Sequence, residues 1–101
     1  MKEQDYQKKI SDNLTKQGYF VINLIKTNRN GIPDLLALKK CNCCRCDCIK
    51  FIECKTPKGK LSKIQEFMLT KLENYSTSVS VSYGDIIKKW QKKLKKDTDL
   101  F

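Results

Sequence analysis

Three residues in this chain have types and spacing suited to metal-assisted chemistry on a phosphodiester: Asp34, Glu53 and Lys55. Asp34 closes Ile32-Pro-Asp34, and the other two lie in Phe51-Ile-Glu-Cys-Lys55. Side chains alternate along a strand, so Glu53 and Lys55 emerge on one face while Ile52 and Cys54 point to the other. If the two segments pair as an antiparallel hairpin, Asp34 near the start of one lies beside Glu53 near the end of the other. Two carboxylates about 4.5 Å apart repel by roughly 3–4 kcal/mol at an effective dielectric near 20, so such a pair calls for a proton or a cation. A hard divalent ion such as Mg²⁺ suits one or two carboxylates with retained waters. It would polarise a phosphodiester oxygen and acidify a water, while Lys55 orients that water or neutralises the transition state. The same residues also read as ordinary strand-end charges, with Lys55 pairing one of the acids. Spacing alone does not separate the two readings.

The elements that must position them follow from periodicity. Residues 3–17 read as an amphipathic helix, with Tyr6, Ile10 and Leu14 recurring every four residues and Gly18 as a stop. Glu3 falls on that same face. It either reaches toward a site or simply favours the helix N-terminus. Residues 19–25 are β-rich, and the polar segment after them ends in Asn30-Gly31, a turn signal. Strands are expected at 32–38 and 49–55, joined by a Cys-rich hairpin tip at 40–48. A helix at 62–74 should turn Ile64, Phe67, Met68 and Leu72 inward. A strand at 78–83 precedes a last helix at 85–96, with Ile87, Trp90 and Leu94 on one side. Lysines 88, 89, 92, 93, 95 and 96 fill the opposite arc, either tracking phosphates or meeting solvent. The order αβββαβ plus a C-terminal helix predicts one α/β domain over 1–101, a mixed four-stranded sheet flanked by helices.

Composition narrows the chemistry. With 21 basic and 11 acidic residues the net charge is +10, which favours a polyanionic partner such as nucleic acid. A Lys-rich, solvated surface is the competing reading. The chain has no histidine, which excludes Ser-His-Asp hydrolysis and His-ligated zinc deamination. Neither a P-loop nor a Gly-x-Gly-x-x-Gly pattern is present. The longest apolar runs are too short to span a bilayer, and the charged first residues are followed by no apolar signal segment. An intracellular, cytoplasmic protein with no membrane partner is expected.

Three blocks taken together carry more than any one alone: Gly31-Ile-Pro-Asp-Leu-Leu-Ala-Leu38, Phe51-Ile-Glu-Cys-Lys-Thr56 and Gly59-Lys-Leu-Ser-Lys-Ile-Gln65. In order and spacing they closely resemble the VRR-NUC family of the PD-(D/E)xK nuclease superfamily, which includes the Holliday-junction resolvases. The likeness runs from Glu3 and Gln7 to Ser82 and Asp85. It implies a restriction-endonuclease-like core and a Mg²⁺- or Mn²⁺-dependent DNA endonuclease. It further implies metal ligation by Asp34, Glu53 and the Cys54 backbone carbonyl, with Glu3 completing the site, through a water if not directly. Lys55 would act on the attacking water, and Gln65 would support the catalytic strand. Ser62-x-x-Gln65 is equally a capping box. Expected phosphate contacts are Lys26, Arg29, Lys58, Lys60 and Lys63. Small free-standing members of the family suggest branched DNA as substrate, a phage or related mobile element as source (hence a host cytoplasm), and a homodimer that presents two sites.

Cys41, Cys43, Cys44, Cys46 and Cys48 crowd into eight residues. A disulfide framework is not expected in the cytosol, which leaves reduced thiols or a thiolate-bound Zn²⁺. The usual zinc module draws its pairs from two separated turns, unlike this cluster. Two rivals to the nuclease reading follow: a nucleic-acid-binding module without catalysis, and a zinc-thiolate interaction protein.

Overall fold

A computed structural model describes residues 1–40, 48–75 and 78–90. Along the chain run α1 (Glu3–Lys16), β1 (Phe20–Asn23), β2 (Leu35–Leu38), β3 (Ile49–Lys55), α2 (Lys63–Glu73), β4 (Ser78–Tyr83) and β5 (Ile86–Lys89). They form one five-stranded sheet in the order β1-β2-β3-β4-β5. Every neighbouring pair is antiparallel except β3 and β4. A parallel pair needs a crossover, and α2 provides it. The α/β class with a mixed sheet flanked by helices is therefore as expected. Among the described residues, no helix is long and apolar enough to cross a membrane.

The period of two along β3 divides the core between two faces. Ile52 and Cys54 join Leu35 and Ala37 of β2 beneath Ile10 and Leu14 of α1. Phe51 instead leans on a second cluster, in which Leu69 of α2 covers Val79 and Val81 of β4. Leu35, Ile52 and Leu69 are among the largest fully buried side chains, each worth about 1.5–3 kcal/mol of burial. Asp34 is one residue before Leu35, and Glu53 and Lys55 alternate with Ile52 and Cys54. Glu53 and Lys55 therefore face α2, opposite the α1 core.

Three expectations are corrected. First, the sheet has five strands, because residues 86–89 form β5 rather than the start of a helix. Gly84, with φ +65°, and Asp85 make a two-residue hairpin turn that returns the chain onto β4, Tyr83 opposite Ile86. The β-branched pair Ile86-Ile87 then suits a strand better than the Ile87-Trp90-Leu94 spacing suited a helix. Trp90 extends the ladder by donating its N–H to the Val79 carbonyl (2.8 Å). Lys88 and Lys89 lie on a sheet edge, where lysines discourage further pairing; the rest of the expected helix lies outside the described residues.

Second, α2 is rotated from its expected phase. Ile64 and Phe67 are 47% and 60% exposed, and Met68 and Leu69 are buried. The inward stripe is Gln65, Met68, Leu69 and Leu72, so a polar residue holds an inward position that an apolar count skips. Third, β2 begins at Leu35 and β1 spans only Phe20–Asn23, which leaves a longer connecting loop than expected.

Within that loop Gly31 has φ +82°, and a Cβ placed there would sit 2.7 Å from the Ile64 carbonyl oxygen. Only glycine meets both demands. Gly18 also has a positive φ (+98°), but its nearest neighbour is a flexible Lys39 carbon at 3.6 Å. Gly31→Ala should therefore destabilise the chain by more than the roughly 1–3 kcal/mol of backbone strain alone, and Gly18→Ala by strain alone. Urea unfolding of the two variants checks this; equal losses would show that the approach to α2 is not tight.

Candidate active site

Asp34 is held at both its backbone and its side chain. Its carbonyl accepts the Leu24 N–H (2.8 Å), and its Oδ2 accepts the Cys54 N–H (2.8 Å). Leu35 pairs with Ile52, so the antiparallel register carried back by one residue sets Asp34 opposite Glu53. The hairpin inferred from sequence is the one observed, with the two acids at the same end of the sheet.

Glu53 is only 2% exposed. Its Oε2 accepts from Gln65 Nε2 at 3.1 Å and lies 4.0 Å from Lys55 Nζ, the outer edge of ion-pair distance. Its Oε1 is buried with no hydrogen-bond partner. Burial, then the charge and hydrogen-bonding carboxyl of Asp34, push its pKa up to about 8; Lys55 offsets part of this and Glu3 adds a little. Two ionised carboxylates are both acceptors, so they share a hydrogen bond only when one holds a proton. A single-charge ammonium at 4.0 Å does not neutralise a buried acid and its half-buried neighbour together. The site has room electrically for a further cation.

Gln65 caps α2 and also contacts Glu53, so both readings of this residue have a hydrogen bond to match. Its Oε1 accepts the Ser62 N–H (2.9 Å) and its own N–H donates to Ser62 Oγ (3.2 Å), completing a capping box. The remaining amide group, Nε2, is what reaches Glu53. The first turn of α2 is thereby locked to the acid it supports.

Lys55 is anchored through its backbone, since its carbonyl accepts the Gly84 N–H (2.7 Å). Its side chain is 14% exposed. Cys54 is fully buried, and burial, followed by the charges of Asp34, Glu53 and Glu3, pushes its thiol up to about 12. It is a protonated core residue whose N–H, not its sulfur, serves the site. Glu3 opens α1 and is exposed; its negative charge is felt at both Glu53 and Cys54. Among the described residues, no three His, Cys, Asp or Glu side chains cluster closely enough to hold an ion together.

The five expected phosphate contacts are all exposed. Lys26 and Arg29 lie in the β1–β2 loop, Lys58 and Lys60 in the β3–α2 loop, and Lys63 opens α2, so all belong to segments at the same sheet end as the acids. Lys88 and Lys89, in β5, belong to the far edge of the sheet. Of the Cys-rich tip, residues 41–47 lie outside the described residues. Cys48 is disulfide-bonded, a departure from the reduced thiols expected. Two residues that the sequence did not single out for the site are Gly31 and Gly84, whose close approaches seat Asp34 and Lys55. Their signal was present as turn glycines, with nothing to tie them to the acids.

A family model for the VRR-NUC domain matches residues 1–86. No curated protein and no solved structure matches the chain. The match covers most of the sequence and all three site residues, and the chain belongs to the VRR-NUC family, whose domain implies a nuclease-type function with DNA as partner.

The raised acid gives this fold a characteristic pH dependence. Below about pH 4.5 Glu53 is protonated both folded and unfolded; between there and about 8 only the unfolded chain releases the proton. Stability of the metal-free chain should therefore fall as pH rises through that window, by up to about 1.4 kcal/mol per unit, and level off above it. Thermal melts in chelator from about pH 5.5 to 8.5 measure this, and Glu53→Gln should flatten the slope. A slope unchanged in Glu53→Gln would assign the effect to another group.

Proposed function

We propose that this VRR-NUC chain is a divalent-metal-dependent endonuclease that hydrolyses phosphodiester bonds in DNA, preferring branched substrates. The observation that carries the reading is the buried Glu53 carboxyl, one oxygen unsatisfied, across the strand pair from Asp34 and beside Lys55. Hard oxygen donors at two acids suit Mg²⁺ or Mn²⁺. Asp34, Glu53 and the Cys54 carbonyl would hold the ion, with Glu3 acting through a water. When bound, the ion supplies Lewis-acid polarisation of a phosphoryl oxygen and a more acidic water.

The remaining roles belong to the chain's own groups. Gln65 fixes one Glu53 oxygen, so the other keeps a single direction. The Cys54 N–H does the same for Asp34. Lys55 brings a positive charge to the attacking water and to the oxygens that gain charge in the transition state. Lys26, Arg29, Lys58, Lys60 and Lys63 hold flanking phosphates at the same sheet end. Branched DNA and a homodimer extend this reading: each chain has one acid pair, and a four-way junction offers two strands to cut.

Cleavage of labelled four-way, flap and linear DNA in Mg²⁺ or Mn²⁺ tests the reading. Asp34→Asn and Lys55→Ala should each lose at least about 100-fold in cutting rate while still binding DNA; full activity in Asp34→Asn would sink it. Separately, Lys58→Ala with Lys60→Ala should flatten the dependence of log affinity on log salt by about one unit for each phosphate no longer neutralised. An unchanged salt slope would return both lysines to plain solvation.

A further inference from the structure

On the β1 side of Asp34, away from Glu53 and Lys55, the surface forms a cleft of about 420 Å³. Gln4, Gln7 and Lys8 of α1 line it together with Asn23, Leu24 and Ile25 at the end of β1, and Asp34 belongs to its wall. The Leu24 N–H bound to the Asp34 carbonyl joins the cleft to the acid pair through one hydrogen bond.

The cleft's chemistry differs from that of the basic loops. Three carboxamides converge on it, and among the described residues none of their side chains is engaged in a hydrogen bond. Carboxamides present a donor and an acceptor side by side, the complement of a nucleobase edge. Leu24 and Ile25 offer aliphatic surface to a flat ring, and Ile25 is left 87% exposed. Among the described residues Lys8 is paired only with Asp12, at 3.4 Å on an exposed helix face, a pairing that solvent screens and a phosphate can displace. The volume is within the range of sites that enclose small ligands.

We propose that this cleft is a nucleoside subsite, taking the base and sugar of the nucleotide that adjoins the scissile phosphate, with the base turned out of its stack. The proposal rests on the nuclease reading for its placement, because a phosphodiester at Asp34 and Glu53 has a neighbour on either side and the cleft lies on one of them. It also supplies a physical origin for selectivity. Extruding a base costs least where it is already unpaired, so cuts fall at branch points, flaps and single-stranded gaps rather than in continuous duplex.

The test uses the whole chain with Mg²⁺ or Mn²⁺ and substrates carrying a single abasic nucleotide on each side of the cut in turn. One of the two positions should raise KM about tenfold, the scale of one good base interaction. In Gln4→Ala/Asn23→Ala the ratio of abasic to normal KM should fall to about one. A ratio retained in that variant overturns the proposal. A second measurement is independent of cleavage: titration of the four deoxynucleoside 5′-monophosphates into the metal-free chain, followed by NMR at the side-chain amides of Gln4, Gln7 and Asn23. Shifts at those amides support the subsite even if no DNA is cut, in which case only the nuclease reading fails. Silence there overturns the subsite even if cutting proceeds.

Discussion

A carboxyl buried beside another carboxyl is the constraint around which the rest of this structure is arranged. Ionised, Glu53 would face desolvation and a like charge together, and at an effective dielectric near 20 each close repulsion costs several kcal/mol. The fold meets this in three partial ways: an amide from Gln65, an ammonium at 4.0 Å, and a pKa high enough to keep a proton near neutrality. None of them satisfies Oε1. Evolved interiors seldom keep such an atom without a use for it. On the function proposed above, a cation would be the last partner of this site, and the raised pKa of Glu53 puts a proton in its place near neutrality.

Most of the local structure can be traced to holding those two acids rigidly. The antiparallel β2–β3 register brings them level, and Gly31 lets the chain enter β2 hard against the start of α2. From that same turn of α2, Gln65 reaches back to Glu53 while capping its own helix. One carboxamide therefore links helix initiation to the orientation of the acid. On the other side, Gly84 turns β4 into β5 and uses its N–H to hold the end of β3 at Lys55. Strand ends normally fray; this one is clamped from the turn beside it.

What the sequence revealed follows the strength of each physical signal. β3 and β4 are recovered at their observed bounds, because β-rich runs flanked by breakers leave little choice, and the level placement of the two acids followed from strand period once an antiparallel hairpin was assumed. The phase of α2 was lost because its inward stripe contains Gln65, and hydrophobic periodicity is blind to a polar residue that turns inward to hydrogen-bond a buried acid. The last segment misled for the opposite reason: Ile87, Trp90 and Leu94 have helical spacing, yet Gly84-Asp85 is a hairpin turn whose local geometry decides the direction of the chain before any longer period can form. Gln65 was legible as a cap that could also support the acid strand, and the side chain has enough hydrogen-bonding atoms for the cap and for the contact to Glu53. The amide-lined cleft was not legible at all, since Gln4, Gln7, Asn23 and Ile25 meet only through the packing of α1 beside β1.

The alternation along β3 has a consequence for how this domain can change. Ile52 and Cys54 pack under α1, while Glu53 and Lys55 face α2, so core and site share consecutive residues of one strand. Cys54 is fully buried in the α1 core, and its N–H simultaneously positions Asp34. Enlarging that side chain must therefore either displace α1 or push the strand toward α2, and the second route moves both acids at once. A residue whose side chain has no chemical part in the reaction is thereby as constrained as those that have one. This is a reason to expect a small, apolar residue between the Glu and the Lys, chosen for volume rather than for its thiol, which burial keeps protonated and inert.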